Sequence, residues 1–129
     1  MKFKTLLSAA VLGLVVTGAQ GATYTFDFSN RGNNHNTLTV GSNEDASFEV
    51  DVTGHYYSIS GGNYVAGGSI DVDSNSSGLI SKNWRGESHT VDSRGKDESM
   101  KFDFGGKMVS LTSIVIGWSE SWMKIGNSR

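Results

Sequence analysis

Cysteine and proline are both absent from the 129 residues. Without cysteine there is neither a lipid-attachment thiol nor a disulfide staple, so a domain of this size depends on core burial alone. Charge is sparse too, at 19% of residues with a net charge of -2. A mildly acidic chain has no basic patch for a phosphate backbone, which excludes nucleic acid as an expected partner. Long apolar runs are missing except for one, Leu6 to Val16.

That run follows Lys2 and Lys4 and leads into the small residues Thr17-Gly18-Ala19-Gln20-Gly21-Ala22. The order of basic, apolar and small residues is that of a secretory signal peptide, and the run is well short of the roughly 20 apolar residues a membrane span needs. Residues 1–22 are therefore read as a signal-peptide helix for the Sec pathway, cut after Gly21 or Ala22. Its removal takes away two lysines and no acid, so the net charge falls from -2 to -4. Residues 23–129 remain as one domain with no further segment apolar enough to hold a membrane, expected to be soluble once exported.

What the chain has in abundance is glycine, 17 residues of it. With Asn30-Arg31-Gly32-Asn33-Asn34, Ser60-Gly61-Gly62-Asn63 and Asp73-Ser74-Asn75-Ser76-Ser77-Gly78, it divides the domain into short pieces separated by turns. Between the turns apolar residues alternate with period two: Tyr24, Phe26 and Phe28; Leu38 and Val40; Phe48, Val50 and Val52; Met100, Phe102 and Phe104. This is the pattern of half-buried strands, and no apolar stripe of helical period persists for three turns. The predicted fold is all-β, a two-sheet sandwich or jelly-roll-like arrangement preceded by the signal-peptide helix. Val109 and Leu111 lie on one parity and Ile114, Ile116 and Trp118 on the other, so a bulge or bend at Thr112-Ser113 is predicted, of the kind that carries a strand between sheets at a corner. Trp118 is expected in the core.

Candidates for chemistry are few. Asp71, Asp73 and Asn75 present oxygens at alternate positions, as calcium would require, but Ser76 stands where an EF-hand loop needs glycine and Lys82 where it needs glutamate. The preferred reading is a strand end at Ile70 and Val72 followed by a solvated turn from Asp73 to Gly78. His89, Asp92 and Asp97, with Ser88 or Ser93, lack the frame of a hydrolytic site, and His35 and His55 lie far away in sequence. No enzyme is expected, and His89 to Asp92 is assigned to bonding the backbone of the following turn. Trp84, set between Asn83 and Arg85, is the aromatic best placed to stack on a sugar ring, ahead of Trp122, Tyr56, Tyr57 and Tyr64. Trp84, His89 and Asp92 are thus the candidate ligand-binding residues.

Gly78-Leu79, His89-Thr90-Val91-Asp92, Gly95, Asp97, the strand from Met100 to Phe104, and Leu111-Thr112-Ser113 running to Ile116-Gly117-Trp118 together resemble bacterial exosortase-dependent (PEP-CTERM-type) surface proteins, with Ser93 in place of their usual asparagine. The resemblance implies an exported, β-rich protein of a Gram-negative cell surface, extracellular space or periplasm, or of the biofilm matrix. Its implied partners are extracellular polysaccharide or other surface proteins. Similar proteins continue beyond this point to a Pro-Glu-Pro signal, an apolar helix and a basic end. This chain closes with Asn127-Ser128-Arg129, so a truncated member is expected, whose strand through Ile114, Ile116 and Trp118 lacks a neighbour, leaving the mature protein self-associating or marginally stable. The competing reading is a carbohydrate- or calcium-binding extracellular module.

Overall fold

A computed structural model describes residues 9–60, 63–82, 88–89 and 97–119. Among the described residues the protein is all-β, with two antiparallel sheets and no helix. The strands are β1 (Ala9–Gly18), β2 (Thr23–Asp27), β3 (Gly32–His35), β4 (Leu38–Gly41), β5 (Glu49–Ser60), β6 (Asn63–Ile70), β7 (Val72–Asn75), β8 (Gly78–Lys82), β9 (Ser88–His89), β10 (Asp97–Asp103) and β11 (Val109–Ser119). The larger sheet runs β11-β1-β8-β7-β3, with β2 also paired to β1 and β9 to β8. The smaller runs β10-β5-β4, with β6 also paired to β5.

The alternation predicts the faces correctly. Phe26, Phe28, Leu38, Val40, Val50 and Val52 are buried in one cluster between the sheets, and Tyr24, Phe48, Met100, Phe102 and Phe104 pack against it. Aromatic edges cross the interface, Phe28 against Phe102 and Phe26 against Phe104, each with centroids 5.7 Å apart. Each fully buried side chain of this size stabilises the fold by about 1.5–3 kcal/mol, which is what a disulfide-free domain must rely on.

Of the expected leader helix, residues 1–8 lie outside the described residues, and Ala9–Gly18 is extended as β1. Val11, Val15, Val16 and Thr17 are β-branched and suit a strand, and alternate positions Ala10, Leu14 and Val16 are buried in the core. Neighbouring strands meet the backbone needs of this apolar run on both sides. β11 pairs along one edge from Ala9 to Gly18, while β2 pairs with Gly13 to Thr17 and β8 with Val11 on the other. Gly18 to Ala22 forms the turn into β2, closed by Gly18 N–H on Ala22 O at 2.9 Å, so the expected cleavage points fall in an exposed hairpin turn.

The bulge predicted at Thr112-Ser113 is present. Val15 lies opposite Ser113 and Val16 opposite Leu111, leaving Thr112 as the extra residue. It does not carry the strand to the other sheet, because β11 stays paired with β1 along its whole length. The bulge instead returns Leu111 and Ile114 to the same side, opposite the buried Val16 and Leu14.

A second correction concerns Asp73 to Gly78. Asp73 and Ser74 are buried strand residues of β7, and the turn is only Ser76-Ser77, since Asn75 already pairs with Gly78. Gly78 has φ +109°, and a Cβ there would stand 2.2 Å from Val11 O, so the hairpin turns directly against β1 and needs glycine.

Candidate interaction surface

The two sheets differ in how their edges are protected. At the outer edge of β2, Thr25 N–H donates to Glu44 Oε2 at 2.7 Å and Thr25 O accepts from Asn43 N–H at 2.8 Å. The carboxyl of Glu44 is held below its ordinary range chiefly by that backbone donor. β10, an edge of the smaller sheet, carries Asp97, Glu98, Lys101 and Asp103, and charges of this kind discourage pairing with another chain.

β11 has no such protection. It is 11 residues long, contains no charged residue and, among the described residues, pairs with β1 alone. Leu111, Ile114, Val115 and Ile116 are exposed by 58, 48, 45 and 49%, so both faces of the strand present apolar surface beside a row of backbone donors and acceptors that no other described strand pairs. Ile114 and Ile116, on the strand expected to lack a neighbour, are thus half exposed. Among the described side chains of the strand, Val109 at its start is the one that packs against the core cluster. At the far end, Gly117 rests on the β7–β8 turn, where a Cβ would stand 2.1 Å from Ser77 O.

A second surface lies where β1, β2 and β11 approach one another. Tyr24 and Phe48 stack with centroids 3.9 Å apart and planes within 7°, and Lys107 Nζ stands 5.2 Å above the Phe48 ring. Together with Gly18, Ala19, Gln20, Ala22 and the exposed Met108 they line an open cleft of about 270 Å³. A stacked aromatic pair with a cation over one ring suits a sugar or another amphipathic group. Sequence reasoning missed it because Tyr24 and Phe48 read simply as inward strand residues.

Trp84 and Asp92 lie outside the described residues, as does the Trp118 side chain. The His89 backbone pairs with Ser81 at the end of β8, and its side chain is likewise outside the description. His35 Nε2 meets Arg31 O at 2.9 Å, and His55 Nε2 meets Thr53 Oγ1 at 2.9 Å, so each histidine is bonded locally. Among the described residues no three His, Cys, Asp or Glu side chains stand together as a metal-holding group.

The calcium candidates are engaged in holding the segment from Phe28 to His35. Asp73 Oδ1 accepts from Asn34 N–H at 2.6 Å, the Ser74 hydroxyl donates to Phe28 O and accepts from Arg31 N–H at 2.9 Å, and Asn75 O accepts from Asn30 N–H at 2.9 Å. Asn75 Oδ1 caps Ser77 N–H at 2.8 Å, and Asp71 O accepts from Lys82 N–H at 2.9 Å. Asn30 and Asn34 both have positive φ, which asparagine tolerates better than most residues, so buried β7 side chains fix a loop with two left-handed turns.

Among the described residues, fold and surface together define an all-β, two-sheet protein whose most distinctive surface is an uncharged edge strand paired on one side. Compared with protein-family models, curated proteins and solved structures, the chain matches none of them.

Proposed function

We propose that the protein is a non-enzymatic, exported β-sandwich of the cell-surface or biofilm-matrix type, which works by contact with other extracellular molecules. The observation that supports this reading most is β11, an edge strand without charge whose apolar side chains are half exposed. Such an edge is a template for strand pairing, and a protein that keeps one has surface to offer a partner. The leader-like N-terminus and the resemblance around His89 support export. Fractionation of a bacterial culture tests the reading: the protein is expected outside the cytoplasm with the segment up to Gly21 or Ala22 removed, and cytoplasmic protein retaining Met1 overturns it.

A carbohydrate-binding module is the second reading, favoured by the stacked Tyr24 and Phe48 under Lys107. A glycan array run with and without calcium separates the two. Specific binding lost in Phe48→Ala establishes the module, and an array without specific signal leaves the structural role.

A further inference from the structure

One segment carries two incompatible fates. Residues 9–18 have the sequence of an exported leader, yet they form the strand between β11 on one side and β2 and β8 on the other. β1 runs antiparallel to both β2 and β11, so those two strands point the same way, one strand apart. Cleavage after Gly21 or Ala22 opens a gap one strand wide, about 4.8 Å from each wall, with unpaired backbone on both sides and the faces of Phe26 and Leu79 uncovered.

We propose that in the processed protein this gap takes β11 of a second copy, in a reciprocal two-fold dimer; the inference rests on the export reading. β11 of the same chain is poorly suited to close the gap, because sliding sideways would bring it against β2 in parallel. Its ends are also held in place, Val109 in the core cluster and Gly117 on the Ser77 turn. A second β11, related by a two-fold axis perpendicular to the sheet, runs antiparallel to the first and therefore antiparallel to β2, which is the direction of β1. Each copy then fills the other's gap. The order becomes β2, partner β11, β11, partner β2, in one continuous sheet, and neither β11 shifts within its own body.

The match extends to length and chemistry. β11 has 11 residues against 10 in β1, both are uncharged, and Leu111 and Ile114 already stand opposite Val16 and Leu14 on the core side. Pairing takes β11 from the edge to the interior of the larger sheet, so its uncharged backbone edge no longer faces solvent.

The test uses the processed protein recovered from an exporting host, its first residue fixed by intact mass. Light scattering after size exclusion is expected to give twice the chain mass. The natural chain has no cysteine, so single variants from Thr112→Cys to Ile116→Cys can be treated with a short bis-maleimide, which is expected to join two copies near the strand centre. A peptide of residues 9–18 is expected to convert the dimer to a monomer. A processed monomer that unfolds cooperatively without peptide overturns the inference and leaves export standing. So does a dimer that none of these cysteines cross-links, or a chain that stays unfolded until the peptide is added. A mass retaining Met1 removes the export reading and the inference together.

Discussion

Asp73 shows how a residue that reads as turn chemistry acts as an internal anchor. It is 1% exposed and its carboxylate accepts from Asn34 N–H, so Asp73→Ala strands that donor and is expected to lower stability by about 1–3 kcal/mol, read from the urea midpoint. Asp73→Asn keeps an oxygen acceptor and should cost less. Carboxylates also close turns elsewhere: Asp27 accepts from the Ser29 hydroxyl at 2.7 Å, Asp45 from that of Ser47 at 2.6 Å, and Asp103 from Gly105 N–H at 2.9 Å. The Ser29 hydroxyl holds Asp27 below its ordinary range, the Ser47 hydroxyl does the same for Asp45, and the Gly105 backbone donor does so for Asp103. Because these folded-state values are depressed, the unfolded chain binds more protons, so their stabilisation is fully present above about pH 4 and is lost as pH falls through the folded values. Melting temperature is expected to be level from pH 6 to 5 and to drop below 4, and the double variant Ser29→Ala, Ser47→Ala should flatten that drop. The burial of Asp73 was not legible in the sequence, because it depends on a loop some forty residues away folding over β7.

Among the elements, β11 and the β7–β8 hairpin make opposite demands. Gly78 begins β8 at a positive φ and against the β1 backbone, so Gly78→Ala is strained in both respects. It is expected to lower the melting temperature by more than any substitution at the open edge. Val115 is 45% exposed on that edge, and Val115→Lys should leave the stability of the full-length chain within about 0.5 kcal/mol, as surface changes usually do. The same change places a charge on the pairing edge and should abolish association of the processed protein, measured by light scattering. Parity alone located the bulge at Thr112, because two apolar sets on opposite parities can share a face only through an extra residue. Parity could not say which strand lies beside β11, so the predicted sheet crossing did not follow.

For the whole molecule, the decisive question is whether the N-terminal segment folds with the rest. In the full-length chain Leu14 is buried opposite Ile114 and Phe26, and Leu14→Ala is expected to cost about 2–5 kcal/mol in chemical denaturation. Where the export reading holds, this segment is removed, and the same substitution is then absent from the folded chain and has no effect on stability. Comparing the two preparations therefore measures how much of the fold β1 supplies.

The strands and their inward faces were decided by the sequence itself, because alternation is a local property and each half-buried strand carries its own period of two. Tyr24, Phe26 and Phe28, or Phe48, Val50 and Val52, reveal their orientation without reference to any partner. Pairing was decided only in the tertiary structure. Thr17 and Thr112 meet at 3.2 Å across 95 positions of sequence, and nothing in either segment names the other. An apolar run with β-branched residues satisfies both a leader and a central strand, and what places Ala9–Gly18 here is the backbone left open by β2, β8 and β11. Hydrogen-bonding groups at strand edges must find partners, and which segment meets that need depends on the whole set of strands present.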